Sequence, residues 1–137
     1  MEDYTNRVDR AGWGWVEEIV EQFQRYQLGN EQDDENERLT SQEAAMDWVI
    51  QQPLSIEVRS GWEAVGRRLE AAEFRILLTT GGPAVQITGE IDQHNNPVHE
   101  GVRIEVQDWF RPWEPLRISD AQREALCWFC DNFYFGE

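Results

Sequence analysis

The spacing of apolar residues near the N-terminus predicts an amphipathic helix. Between Trp13 and Leu28 an apolar side chain recurs at every third or fourth position, while glutamate, glutamine and arginine fill the other face. This is the period of a helix with one buried side. We expect Gly29 and Asn30 to end it, because glycine readily adopts the left-handed conformation common at helix C-termini.

A polar run separates this helix from a second one. Residues 31–38 hold five acids and one arginine and no apolar residue, which predicts an exposed acidic loop over about residues 30–39. Thr40 and Glu43 have the spacing of a capping box, so the second helix is expected to begin near Ser41. Pro53 should end it, because the residue before a proline avoids helical torsions.

After Pro53 the hydrophobic period changes to two. Leu54, Ile56 and Val58 alternate with polar residues, as a half-buried strand requires. Further strands are predicted over residues 74–80, 84–91 and 102–109. The glycines of Gly81-Gly82-Pro83 predict a tight turn between the second and third strands. Four strands connected in this way form an antiparallel meander.

A third helix closes the chain. Ser119 and Gln122 form another capping box, and the helix that follows should bury Ala125, Leu126 and Phe129. The aromatic residues 133–135 are expected to pack against the fold. We therefore predict an α+β fold in a single domain over residues 1–137. Its four-stranded antiparallel sheet should carry two N-terminal helices and one C-terminal helix.

The charge of the chain is its most informative compositional feature. Twenty-seven acids face twelve arginines and no lysine, which gives a formal net charge of -15. Self-repulsion of this size opposes compaction, so the excess indicates either solubility or a cationic partner. No apolar run approaches the roughly 18 residues of a membrane span. Two cysteines make no disulfide framework, so a cytoplasmic location is expected.

The cysteines admit three interpretations. Cys127 and Cys130 form a CxxC motif, which is typical of redox pairs, and with His94 and His99 they could supply four zinc ligands. The alternative is a pair of buried core thiols. Because Cys127 lies about two turns inside the predicted helix, the helix dipole would do little to activate it. We expect packing residues, and no metal or cofactor.

Other motifs give little support for catalysis. The turn at Gly81-Gly82-Pro83 lacks the Lys and Ser or Thr of a phosphate-binding loop. The acids of the predicted loop resemble a calcium ligand set, but the central glycine and terminal glutamate of an EF-hand loop are missing. No Ser, His and Asp set has motif support. We expect a binding protein rather than an enzyme.

Two features are candidates for partner binding. The stretch 108–115 concentrates aromatic side chains in a proline-stiffened segment, and these are either a cap on the core or an interface. Carboxylates on the first helix and in the acidic loop form the second candidate. The predicted partner-binding residues are Glu17, Glu18, Glu21, Asp33, Asp34, Glu35, Glu37, Trp109 and Trp113.

Four segments of the chain from Leu54 onward carry a resemblance: Ser55-Ile56-Glu57-Val58-Arg59-Ser60-Gly61-Trp62, Thr80-Gly81-Gly82-Pro83-Ala84-Val85, Gln107-Asp108-Trp109 and Phe133-Tyr134-Phe135-Gly136-Glu137. On these residues the chain resembles a family of small acidic proteins encoded by tailed bacteriophages and prophages. It implies a phage protein acting in the bacterial host cytoplasm. Small acidic phage proteins include anti-CRISPR and anti-restriction inhibitors that imitate the charge of DNA.

These observations predict a stoichiometric inhibitor of a nucleic-acid-binding defence complex such as a CRISPR effector. Its carboxylates would occupy the Lys and Arg sites that otherwise neutralise phosphates. The same charge disfavours direct binding of nucleic acid, and no membrane partner is expected. Two alternatives remain: an immunity or antitoxin protein that masks a basic nuclease, and a zinc or thiol protein built on Cys127 and Cys130.

Overall fold

The computed structural model of the protein describes residues 4–30 and 34–136. The helices are α1 (Tyr4–Asn30), α2 (Glu35–Gln51) and α3 (Asp120–Asp131). The strands are β1 (Ser55–Ser60), β2 (Ala71–Thr79), β3 (Ala84–Glu90), β4 (Arg103–Gln107) and β5 (Glu114–Pro115). A short 3-10 helix, His99–Gly101, precedes β4.

The strands form one antiparallel sheet in the order β1-β2-β3-β4-β5. The α+β class and the meander are therefore confirmed, but the prediction of four strands was wrong. The fifth strand pairs only Glu114 and Pro115 with β4. Two residues that include a proline are too short to show an alternating pattern, so the sequence carried no strand signal there.

The core lies between one face of the sheet and the helices. Ile76, Ile87 and Ile104 are neighbours in register on three adjacent strands, and all three are fully buried. They belong to one apolar cluster with residues from α1 and α3, such as Ile19 and Phe129. The predicted burial of Ala125, Leu126 and Phe129 is confirmed.

The first two helices differ from the prediction at their ends. Helix α1 begins at Tyr4, nine residues before Trp13, and it ends at Asn30 as expected. Gly29 acts by its small size, because a Cβ there would lie 3.1 Å from the carbonyl oxygen of Arg38 in α2. Only residues 31–34 lie between the helices, so half of the predicted acidic loop, residues 35–39, belongs to the start of α2.

The start of α2 is set by a different residue from the one predicted. The Asp34 carboxylate accepts a hydrogen bond from the Asn36 backbone N–H, which makes Asp34 the N-cap. The Thr40 hydroxyl instead donates to the carbonyl oxygen of Asn36, one turn back within the helix. The helix ends at Gln51, two residues before Pro53, as expected.

The C-terminal elements agree with the sequence. Ser119 and Gln122 form both hydrogen bonds of the capping box at the start of α3. Phe135 is buried, and its ring centroid lies 4.5 Å from that of Phe74 in β2. Phe133 also packs against the core, whereas Tyr134 between Phe133 and Phe135 is exposed. The aromatic tail is thus packed against the sheet.

Strand β1 forms where expected but is not half-buried. Its side chains Ile56 and Val58 remain 41% and 47% exposed. Helix α1 contacts β3 and β4, while β1 lies at the margin of the sheet. The apolar alternation therefore marks a strand whose inner face the helices do not cover.

Candidate partner-binding surface

Three of the predicted acids project from the outer face of α1. Val16 and Ile19 are fully buried, so the core side of this helix is fixed. Glu17 and Glu21 lie one turn apart on the opposite side, about 6 Å along the axis, and Glu18 flanks them. All three side chains are exposed. The helix thus holds their backbones in a fixed, solvent-facing arrangement.

These three carboxylates carry uncompensated charge within the described chain. Among the described residues, none of the ion pairs involves Glu17, Glu18 or Glu21. Arg25 is exposed on the same face one turn after Glu21, where it reduces the local negative potential. The outer face of α1 is therefore a preorganised acidic surface with one cation near its end.

The acids at the start of α2 are exposed, and they also stabilise the helix. Asp34 caps the helix, and the carboxylate of Glu35 lies 4.0 Å from the Arg38 guanidinium. Glu37 is also in the first turn, where negative charge is favoured by the helix dipole. Asp33 lies outside the described residues. Of the predicted acids, Glu35 and Glu37 are thus helical, and Asp34 stabilises the start of α2.

Two acids on α2 were missed by the sequence reasoning. Glu43 and Asp47 are exposed and one turn apart, on the side of α2 opposite the buried Ala45 and Val49. Their i,i+4 spacing was a usable signal. The assignment of Glu43 to a capping box concealed it. We use the name acidic hairpin surface for Glu17, Glu18, Glu21, Glu43 and Asp47, which are exposed on the outward sides of two helices that pack against each other.

The predicted aromatic residues separate into two environments. Trp109 is 61% exposed, and its ring lies 6.3 Å from the fully exposed ring of Phe110. Trp113 is half-buried over the outer face of the sheet. Phe110 has a φ of 63°, a conformation that costs a bulky side chain free energy. The interface interpretation therefore fits Trp109 better than Trp113.

Packing at the end of β4 positions Trp109. Its indole lies directly against Gly82 in the β2–β3 turn, where a Cβ would collide with it. The buried carboxylate of Asp108 accepts from the Trp109 backbone N–H at 2.8 Å. The Arg7 guanidinium of α1 donates to the same carboxylate at 3.2 Å. The exposed aromatic pair thus lies beside the N-terminal end of α1.

The predicted binding residues do not converge on one site. Arg7 marks the aromatic end of α1, and Asp34 follows the other end of that helix. The 23 residue-to-residue steps of α1 from Arg7 to Asn30 span about 35 Å along the helix axis. Glu17, Glu18 and Glu21 occupy the middle of the helix. A single small ligand cannot contact both ends, whereas a protein or a complex can.

The cysteines are part of the core. Cys130 is fully buried and Cys127 is nearly so, and both thiols are free. Burial raises the pKa of Cys127 to about 11, with a smaller contribution from the Asp131 carboxylate. Burial also raises the pKa of Cys130 well above its usual value. Both changes favour the unreactive thiol over the thiolate.

The histidines do not complete a zinc site with these thiols. His94 lies in the exposed β3–β4 connection, and the His99 ring forms a 2.9 Å contact with the Asp131 carboxylate. The Cys127 thiol donates to the backbone carbonyl oxygen of His99 at 3.5 Å. Within the described residues no three potential ligands are grouped as a metal site would require.

A cavity on the outer face of the sheet has no counterpart in the sequence reasoning. It measures about 440 Å³ and is bordered by Trp113. Gln86 and Thr88 both donate to Glu105, which Arg103 approaches at 3.7 Å. The other arginines in its lining, Arg59 and Arg75, are also paired with glutamates. The balanced charge gives no preference for an anionic ligand.

Comparison with known proteins leaves the function to be argued from the molecule itself. No family model, curated protein or solved structure matches the chain. None of the helices in the described ranges is long and apolar enough to cross a membrane.

Proposed function

We propose that the protein is a phage-encoded, stoichiometric inhibitor of a nucleic-acid-binding protein of bacterial defence, such as a CRISPR effector complex. The acidic hairpin surface would occupy the basic groove that normally holds phosphates. In this proposal the protein acts in the host cytoplasm, performs no catalysis, needs no cofactor, and binds neither nucleic acid nor membrane.

The observation that carries the proposal is the exposed, unpaired set of glutamates on α1. Turns of a helix repeat every 5.4 Å, so the backbone positions that carry Glu17 and Glu21 are held one turn apart before any partner binds. DNA likewise presents closely and regularly spaced charges along its axis. A partner that binds DNA through Lys and Arg would gain the same contacts without ordering a flexible segment.

An immunity protein that masks a basic nuclease is the second candidate. It is favoured by the exposed Trp109 and Phe110, because buried aromatic anchors dominate the binding energy of many tight protein complexes. In that case the aromatic end of α1 would bind the partner, and the acids would mainly accelerate association. The two candidates therefore differ in which substitutions slow association and which accelerate dissociation.

The test uses proteins from a bacterial host lysate that bind DNA-cellulose, with the full-length chain as bait. Association is then measured between the bait and each captured protein. We expect the rate to fall steeply with salt, because charges are screened beyond about 8 Å at physiological ionic strength. Replacing Glu17, Glu18 and Glu21 by Gln should slow association by about tenfold. Arg25→Glu should accelerate it.

A matched control removes the same charge elsewhere. Glu63, Glu70 and Glu90 are exposed and lie outside α1, α2 and the aromatic stretch 108–115. Their replacement by Gln should change association much less than the α1 variant does. Equal effects of the two triple variants would mean that net charge alone acts. Binding insensitive to salt and to both variants would refute the proposal, and faster dissociation of Trp109→Ala alone would favour the aromatic site.

A further inference from the structure

Strand β1 forms a free edge of the sheet. Within the described residues it pairs only with β2, and the register from Ser55 to Arg59 is uninterrupted. An edge strand leaves backbone N–H and C=O groups available for another strand. Proteins often block such edges with lysine or proline, and β1 contains neither.

The helix-side face of β1 is apolar and exposed. Ile56 lies beside Ile76 and Val58 beside Phe74, so both project to the same side as the core. Leu54, just before the strand, is exposed as well. A strand added at this edge would therefore extend the apolar face of the sheet and remove these side chains from water.

The outer face of β1 carries two charges of opposite sign. The Arg75 guanidinium donates to the Glu57 carboxylate at 2.7 Å, and Arg59 pairs with Glu73. Residues 57 and 59 flank Val58 symmetrically. The two charges are therefore self-complementary. In an antiparallel pair of β1 strands centred on Val58, the glutamate of each copy lies opposite the arginine of the other.

We propose that two copies of the protein pair through β1 about a two-fold axis at Val58. In this register Val58 opposes Val58 of the second copy, and Glu57 opposes Arg59 of the second copy. Residues directly opposite in an antiparallel pair share a face, so the helices of both copies lie on the same side. The two five-stranded sheets become one continuous sheet.

The charges select this register over its neighbours. A shift that centres the axis on Glu57 or on Arg59 sets like charges directly opposite each other, which is destabilising. A shift by an odd number of positions sets charged residues opposite apolar ones and turns the helix layers to opposite faces. With the axis at Val58, four side chains of alternating charge lie in one row across the interface. They are Glu73 and Arg59 of one copy, followed by Glu57 and Arg75 of the second copy.

The first test is the mass of the full-length protein by sedimentation equilibrium. We expect a dimer whose dissociation constant rises by about tenfold or more in Val58→Lys, because two ammonium groups then meet at the axis. Val65→Lys is the matched control, since Val65 is fully exposed in the loop between β1 and β2. It should dimerise like the wild type.

The second test is a cross-link at the axis. Opposed residues of an antiparallel pair have Cα atoms about 4.5–5.5 Å apart, within the range that a disulfide spans. Val58→Cys should therefore form a covalent dimer under mild oxidation, visible on a non-reducing gel. Val65→Cys should form far less. The native thiols are buried and should not contribute.

Charge reversal distinguishes this register from any other contact. Glu57→Arg alone should weaken the dimer, and addition of Arg59→Glu should restore it. Thermal unfolding checks that each variant folds, because both substitutions disturb pairs with β2. A monomer at all concentrations would overturn the proposal. So would a dimer unaffected by Val58→Lys, or one that the double reversal fails to restore.

Discussion

At the scale of single residues, location decides what a carboxylate does. The Asp34 carboxylate stabilises the first turn of α2 because it accepts a hydrogen bond from a backbone N–H. Glu21 is exposed on the outer face of α1, takes part in none of the ion pairs among the described residues, and remains available to a partner. In the sequence both are acids among polar residues. Their roles differ because Asp34 lies at the start of a helix and Glu21 lies inside one.

The cysteines give a prediction at this scale. At pH 8 a thiol with a pKa of about 11 is ionised in about one molecule in a thousand, so native Cys127 should react very slowly with a thiol reagent such as Ellman's reagent. Cys130, which is more deeply buried, should be slower still. Both should react promptly in guanidinium chloride. Rapid native modification of either thiol would contradict the packing role.

The pH dependence of the free energy of unfolding follows from the same burial. An unfolded cysteine ionises near pH 8.5, whereas the folded thiols stay neutral to higher pH. The folded state then retains protons that the unfolded state loses, so stability should fall as the pH rises above about 8.5. The variant with Cys127→Ala and Cys130→Ala should lack this part of the decline.

At the scale of elements, local signals predicted most of the helices and strands. The capping box at Ser119 and the alternation in β2 to β4 were sufficient, because short-range hydrogen bonding and burial agree there. The predicted start of α2 was wrong because two capping signals compete, and Asp34 rather than Thr40 caps the helix. The exposure of β1 depends on which strands the helices cover, which no local pattern contains.

The packing of α1 on the sheet gives a prediction at the scale of elements. A Cβ on Gly12 would lie 2.5 Å from a Val106 methyl group in β4, so Gly12→Ala should lower the free energy of unfolding by about 1–3 kcal/mol. Gly14 is the control, since a Cβ there meets nothing within 4 Å. Gly14→Ala should raise stability by about 1 kcal/mol through helix propensity. The free energy of unfolding of both variants is measured in denaturant. Equal changes in Gly12→Ala and Gly14→Ala would contradict the close packing of Gly12 against β4.

At the scale of the whole molecule, the sequence predicted the charge and the candidate residues but not their distances. The acids and the aromatics appear as two segments in the chain, and the structure places Trp109 at one end of α1 and Asp34 beyond the other. The separation arises because α1 is longer at its start than its apolar period indicates. A partner that contacts both must therefore have a large surface.

The most direct test of the proposed function is competition with DNA. A captured DNA-binding partner is loaded with fluorescent duplex DNA, and the full-length protein is added while fluorescence anisotropy is followed. Competition predicts that the DNA is released as the protein binds, and release is complete near one equivalent when the protein binds the partner much more tightly than the DNA does. The variant with Glu17, Glu18 and Glu21 replaced by Gln should need far more protein, and the control with Glu63, Glu70 and Glu90 replaced by Gln should behave like the wild type. A stable complex of DNA, partner and protein together would contradict the claim.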